Sequence, residues 1–417
     1  MDSYDVIIVG AGLAGLHAAL RISEKNASLR IAIAEAYNYV GGRIFTYHHK
    51  GKHPLHWEAG AGRYHESHKL LKKYIQRYKL TPIPIGSEEQ WISEDTKYPQ
   101  TNIWEELSEI ITTSLSSVSP SLLGMHTLER LLEVTQGKET ATKILERFPY
   151  RAEVKTLRAD LAIKSFQNEM HNNKGFYVIK EGLSALAKAM QKELESRGVQ
   201  FLLNHRLVRV SKNAFEQTVC KFDAHTIKAN KLILALHSEA LKQIHPFSKL
   251  PILKHLAMEP LLRTYGIFPS GTKPTWFSKI PKTVTDSKLR YIIPINPSEG
   301  TIMTSYTDAD DTRFWSSILD KKGEHSLQEK ITEELRLLFP STEIPTPLFF
   351  KSHLWKYGCT YWVPGRYSPQ EVSEKFMQPM PSTFHNVHVC GESYSLRQAW
   401  MEGALEHTEA MLKKYFL

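Results

Sequence analysis

Apolar and polar positions change rhythm several times along the chain. Val6-Ile7-Ile8-Val9 is an unbroken apolar run, as in a strand buried on both faces. Leu13, Leu16, Ala19 and Leu20 then share one helical face, and Leu29, Ile31 and Ile33 alternate into a second strand that ends at Glu35. A βαβ unit is therefore expected over residues 1 to about 65. Residues 66 to 80 read as a helix with a mixed charged face. The stretch from about 100 to 172 is rich in helix formers, with breaks near Pro120, Gly124 and Gly137, and reads as a helical insertion. Phe176 to Ile179 leads through a turn at Gly182 into a helix over 184–197. Strands are expected at 199–203, 207–210, 219–222 and 232–236. Between 255 and 350 the pattern changes to strands at 261–268, 290–295 and 301–306, with a helix at about 328–338. A buried strand returns at 387–390, and a terminal helix runs from near Trp400 to about Lys414.

This order predicts an α/β fold. A discontinuous nucleotide-binding domain would take residues 1–65, 176–250 and 355–417. A mostly antiparallel domain would take 255–350, and a helical region 66–175. A chain of 417 residues exceeds what one compact core usually holds.

Composition narrows the class. With 41% hydrophobic and 10% aromatic residues the chain is ordinary for a globular protein, and no apolar run is long enough for a transmembrane helix. Cys220, Cys359 and Cys390 are an odd number, far apart, which argues against a disulfide framework or a zinc site. The N-terminus shows no basic and apolar leader pattern, so a cytoplasmic location is expected. The net charge of +9 is spread evenly. Its densest cluster, Lys69 to Lys79, has helical spacing with Leu70, Leu71, Tyr74 and Ile75 between the charges, a solvated helix face rather than a nucleic-acid site.

The glycines after the first strand carry the first chemistry. Gly10 permits a tight turn, Gly12 lets backbone approach a pyrophosphate, and Gly15 lets the helix pack close to the sheet, with Ala14 between them. The helix N-terminus points N–H groups at the phosphates. Glu35, followed by Ala36, stands where an acid should bond the adenosine ribose. Strand, helix, second strand and acid together make a dinucleotide site. Gly41-Gly42-Arg43 is a second glycine turn with a fixed cation, suited to clamp a pyrophosphate, and points to FAD rather than NAD.

Placed six residues after the ribose acid, that turn resembles the flavin amine oxidase superfamily. The resemblance extends to Gly391-Glu392 and to Ala399-Trp400-Met401-Glu402-Gly403-Ala404 near the C-terminus. It implies noncovalent FAD with Glu392 near the ribityl chain and the Met401 amide facing the pyrimidine end of the flavin. A helix N-terminus there stabilises the negative charge of a reduced flavin. It also places Ala404 near the cofactor and the Leu207 backbone near the adenine. Gly60-Ala61-Gly62-Arg63-Tyr64 resembles the turn that passes under the flavin in the L-amino-acid oxidase branch, most of all in the bacterial L-tryptophan oxidase of violacein biosynthesis. There the arginine holds the substrate carboxylate, a role this implies for Arg63. By the same resemblance Tyr306 supplies a hydroxyl to that carboxylate, with Asp308 nearby, and Trp400 forms a wall of the substrate site. Bland readings stay open: Arg63 in a surface ion pair, Tyr306 a core residue, Asp308 a helix cap, and Trp400 a packed aromatic.

Arg263 is a departure, since it aligns where the superfamily often has a lysine. Arginine does not readily shed a proton, so it supplies fixed charge rather than a base. Cys359 matches only loosely the stretch in which monoamine oxidases bond the flavin covalently, and its spacing argues against such a link. The expected reaction is oxidation of an L-amino acid, with an aromatic or bulky apolar side chain, by FAD and dioxygen. A primary amine or polyamine oxidase and an FAD-bound protein with little catalysis are the alternatives. No nucleic acid, metal or membrane partner is expected; a homodimer is implied by the resemblance alone.

Overall fold

The computed structural model describes residues 2–51, 55–93, 103–167, 174–271 and 273–417. The outer ends of the helical stretch expected over 100–172 lie outside these residues. Two compact units emerge, each assembled from separate chain segments: Met1–Ile85, Gly175–Met258 and Tyr367–Leu417 form the first, and Gly86–Lys174 and Glu259–Arg366 the second.

A seven-stranded sheet forms the first unit's centre. Gln200–Leu202, Ile31–Ala34, Ser3–Val9, Thr226–Leu234 and Val387–Val389 lie side by side in parallel. An antiparallel hairpin, Leu207–Lys212 and Thr218–Phe222, is joined to the first half of Thr226–Leu234. The second half of that strand takes Val387–Val389 instead. Every residue of Ile31–Ala34 is buried, as a strand covered on both faces requires. The helix Leu13–Lys25 presses Leu16, Ala18, Ala19 and Leu20 into the core, which also takes Leu183, Leu186, Met190 and Leu405. Thr226–Leu234 starts six residues earlier than its apolar run, because Lys228 and Lys231 interrupt the pattern without leaving the ladder.

Three helices of this unit share a polar seam. His17 Nδ1 meets the Tyr74 hydroxyl at 2.5 Å and Nε2 meets Glu409 at 3.0 Å, and Arg21 donates to the same carboxylate. The hydrogen bond from His17, then that from Arg21, hold the Glu409 carboxyl down to about 2 against its burial. A carboxyl depressed in the folded state stabilises it above the unfolded value of about 4.3, and that stabilisation is lost as pH falls through 4 toward 2. About 3 kcal/mol is at stake, from a shift of roughly two units. Denaturant midpoints are therefore expected to fall steeply below pH 4.5, and Glu409→Gln should flatten that fall.

The second unit is built on a six-stranded sheet in the order Phe349–Trp362, Leu256–Ile267, Thr301–Asp308, Tyr291–Asn296, Lys282–Thr285, Glu89–Ile92. Its inner pairings are antiparallel, but Lys282–Thr285 and Glu89–Ile92 run parallel. Those last two strands are short and escaped the sequence pattern. The unit boundary falls after Arg366, beyond the long strand Phe349–Trp362, whereas the pattern placed a domain return at 355. The helix expected at about 328–338 is the second half of Ala309–Leu338, bent at Gly323.

Helices fill 103–165. Pro120 and Gly137 mark breaks as expected, Pro120 at a first helical position after the Ser119 cap and Gly137 with φ +81°. The break near Gly124 falls just after it, between the helices Pro120–Met125 and Leu128–Gln136. Gly124 itself lies in the first of these, where a Cβ would sit 2.1 Å from the Arg158 guanidinium. The glycine admits that buried cation, which is paired with Asp160 at 2.7 Å.

Candidate functional site

Within the first unit, four loops converge where the parallel strands end. The first strand delivers the chain to Gly10 at φ +104°, and Gly10 N–H bonds Ala34 O at 2.7 Å. A Cβ on Gly15 would lie 1.9 Å from Gly10 O, so this glycine sets the helix-to-turn distance, with Ala14 buried beside it. The second glycine turn lies against the first: Gly41 N–H bonds Ala11 O at 2.8 Å, and Gly42 takes φ +58°. Glu35 is buried, and its carboxylate accepts Ala11 N–H at 2.7 Å and Tyr37 N–H at 3.0 Å, fixing its orientation across the turn. Ala36 follows, half-buried. His205 N–H bonds Glu35 O at 2.7 Å and brings Leu207, buried at the start of its strand, toward the same end.

Arg43 and Glu392, 349 positions apart, form an ion pair at 2.8 Å. Gly391 precedes the acid at φ +129°, and Glu392 also accepts Ala399 N–H at 2.7 Å, holding Ala399 at φ +65°. That turn sets up the terminal helix Met401–Tyr415, with Trp400 at its N-cap and Met401 and Ala404 buried. Glu402 has a task the sequence did not reveal. Its buried carboxylate accepts Leu70 and Leu71 N–H at 2.8 and 2.9 Å, capping the helix Lys69–Arg77 from across the unit.

The turn at Gly60-Ala61-Gly62 is pinned by Ala61 N–H to Arg43 O at 2.9 Å. It presents Arg63 to an aromatic platform. The guanidinium carbon lies 4.2 Å from the Phe176 ring centre and 6.0 Å from that of Trp400, rings that stack at 5.9 Å and 14°. His65 meets Phe176 and His68 meets Trp400 edge-on, buttressing the platform. Phe176 belongs here as much as Trp400 does. In sequence it reads only as the first residue of a strand.

The second unit gathers its own candidates on one sheet face. Arg263 and Tyr306 are register partners on neighbouring strands, with the guanidinium carbon 4.7 Å from the tyrosine ring centre. Tyr150 and Tyr291 flank Tyr306 at 6.0 and 6.2 Å. Burial pushes the Tyr306 hydroxyl up, which Arg263 partly opposes, so the phenol stays protonated. Asp308 occupies the N-cap position of its own helix without capping it. Its carboxylate accepts Arg151 and Ala152 N–H instead, at 2.9 and 3.3 Å, and so caps a distant helix, Arg151–Lys155. Burial and the neighbouring Glu153 raise its carboxyl. Cys359 is half-buried beside Gly358, whose missing side chain lets the strands close on Leu261.

A family model for flavin containing amine oxidoreductases matches residues 13–409. The chain belongs to that family. It is an oxidoreductase acting on amines, and its cofactor is FAD.

For this flavin amine oxidoreductase, L-amino-acid oxidases of Demansia vestigiata and Crotalus adamanteus are 23% and 24% identical, each over 96% of the chain and 84% of the relative. Among solved structures, a mutant putrescine oxidase superposes with a TM-score of 0.78 at 15% identity, covering 99% of this chain and 98% of its own. Cyclohexylamine oxidase from Brevibacterium oxydans gives 0.74 at 16% identity, with 99% of each chain covered. At those identities the structures establish the fold.

The cradle fits FAD on its own geometry. Gly12 has an ordinary φ of −72°, and a Cβ there would meet only Gly41 O, at 3.9 Å. Neither backbone strain nor internal packing requires glycine at this position, and its bare backbone is open to close approach by a ligand. Among the described residues no helix is long and apolar enough to cross a membrane.

Proposed function

We propose that this enzyme oxidises L-amino acids at Cα, releasing the imino acid and passing the electrons to dioxygen as hydrogen peroxide. The unit built on the parallel sheet is its FAD-binding domain and the other its substrate domain. When bound, FAD supplies the acceptor for the hydride that leaves Cα.

Arg63 carries the reading. Its guanidinium lies on the Phe176 and Trp400 rings. Stacking fixes the plane of the fork, and a fixed planar fork suits a carboxylate. L-amino-acid oxidases are among the relatives that match 96% of the chain, which supports a carboxylate-bearing substrate. Trp400 offers an apolar wall for a bulky or aromatic side chain, and that wall, by excluding water, favours the neutral amine from which a hydride can leave. In the second unit Tyr306 offers a protonated hydroxyl and Arg263 a fixed positive charge. Glu35, Ala36, Gly42, Arg43, Leu207, Glu392, Met401 and Ala404 are assigned to FAD.

Anaerobic titration tests the substrate class. Holoenzyme is mixed with L-amino acids and with the amines that result from removing each carboxylate, and the flavin absorbance is followed. Bleaching is expected with the amino acids and not with the matched amines. Equal bleaching by amines such as putrescine would replace the proposal with an amine oxidase. Bleaching by none would mark a protein that holds FAD with little catalysis.

A further inference from the structure

One ionisable side chain at the strand ends is used by neither the glycine turns nor the aromatic platform. His237 lies three residues past the strand Thr226–Leu234, next to the first strand in the sheet. Ala235 N–H bonds Val9 O at 2.8 Å. A Cβ on Gly10 would meet Ala235 O at 2.5 Å and Leu236 Cδ2 at 3.3 Å, so the segment leading to His237 runs along the first glycine turn. On the other side Ser238 N–H bonds Ser393 Oγ at 3.3 Å, next to Glu392 and its partner Arg43. The imidazole is thus set among the segments that form the cradle, at the strand ends where open parallel sheets take their ligands.

Its protonation state follows from one hydrogen bond. His237 Nδ1 accepts Ala240 N–H at 3.1 Å. A backbone N–H only donates, so Nδ1 bears no proton and the ring is the neutral Nε2–H tautomer. Burial, then the charge of Arg43, push the ring down to about 3, in keeping with that neutral tautomer. A second cation beside Arg43 would be repelled by it. A neutral ring with a fixed N–H adds a hydrogen bond to an anion without that repulsion.

We infer that His237 is a cofactor-binding residue whose Nε2–H donates to the pyrophosphate of FAD beside Arg43. The inference rests on the cofactor and is independent of which amine is oxidised.

Two substitutions separate this from a purely structural role. Asparagine is a good helix cap and keeps an acceptor for Ala240 N–H, but lacks the imidazole donor; alanine removes both. FAD release from diluted holoenzyme is followed by the rise in flavin fluorescence, and the apoprotein's thermal midpoint is measured alongside. A hydrogen bond to a charged group is worth about 1.5 kcal/mol or more, so release should quicken about tenfold in both His237→Asn and His237→Ala. Only His237→Ala should lower the midpoint. Wild-type release in His237→Asn would reduce His237 to a helix cap and overturn the inference. Affinity of the apoprotein for ADP, which carries the pyrophosphate without the flavin, should weaken by a similar factor. Unchanged ADP affinity with faster FAD release would overturn the assignment to the pyrophosphate. His237→Ser, whose hydroxyl also caps the helix but is too short to replace the Nε2–H, provides the same readings if the asparagine variant folds poorly.

Discussion

Arg63→Ala is expected to lower kcat/KM for L-amino acids by about 100-fold to 1000-fold. A bidentate guanidinium–carboxylate pair in a site walled by aromatic rings is charge-assisted on both sides, and removing one partner costs about 3–4 kcal/mol. Every 1.4 kcal/mol is a factor of ten. The loss should appear chiefly in KM, because the carboxylate is held throughout the reaction and its binding is shared by ground and transition states. The matched amines, which are not expected to reduce the flavin of the wild type, should show no comparable loss. Arg63→Lys tests the geometry. It restores the charge, but lysine is a point charge without the planar fork that lies 4.2 Å from the Phe176 ring centre, so rescue should be partial, about tenfold. Steady-state kinetics on matched amino-acid and amine pairs, with the flavin spectrum confirming full FAD occupancy, decide the matter. Undiminished turnover of every amino acid by Arg63→Ala would refute the carboxylate role.

Legibility of this chain followed the range of the interaction. The βαβ unit could be read because its signals are local: an apolar run, glycines at fixed offsets, a helical face and an acid at a strand end. Short-range periodicity also located Phe176–Ile179 and the terminal helix to within a residue or two. What escaped is long-range. Nothing near Glu402 says that it caps Leu70 and Leu71, and nothing near Asp308 says that it holds Arg151 and Ala152. In each case a carboxylate sits where a local cap is expected and satisfies backbone N–H groups of another helix. The packing of Gly124 is equally invisible locally: a helix does end close by, after Met125, but nothing in the sequence nearby says that the glycine makes room for the buried Arg158. Phe176 joined the Arg63 platform only through folding, because strand alternation places a residue on a face without saying what that face meets. The strands Lys282–Thr285 and Glu89–Ile92 are four residues each, too short for a period of two to stand out.

Two glycines three positions apart should fail in opposite ways. In Gly15→Ala the new methyl would lie 1.9 Å from Gly10 O and 3.3 Å from Ile8 Cγ2, and the first obstacle is backbone. Relief requires the helix Leu13–Lys25 to move off the sheet by roughly 1 Å, which breaks close packing along a whole face. Leu16, Ala18, Ala19 and Leu20 are fully buried on that helix and would lose contact together. A destabilisation of about 3 kcal/mol or more is expected, at the upper end of overpacking in cores. Thermal unfolding of the apoprotein should shift down by several degrees, with loss of FAD as a consequence. In Gly12→Ala the methyl meets only Gly41 O at 3.9 Å and the backbone is already at an ordinary φ, so the apoprotein should keep its midpoint. FAD affinity should nevertheless fall at least 100-fold, because the methyl occupies the approach of the pyrophosphate to the backbone. Gly86→Ala, where a Cβ meets nothing within 4 Å, should change neither quantity and serves as the control. An apoprotein destabilised as much by Gly12→Ala as by Gly15→Ala would mean that both glycines serve packing, and the assignment of the turn to a dinucleotide would lose its structural support.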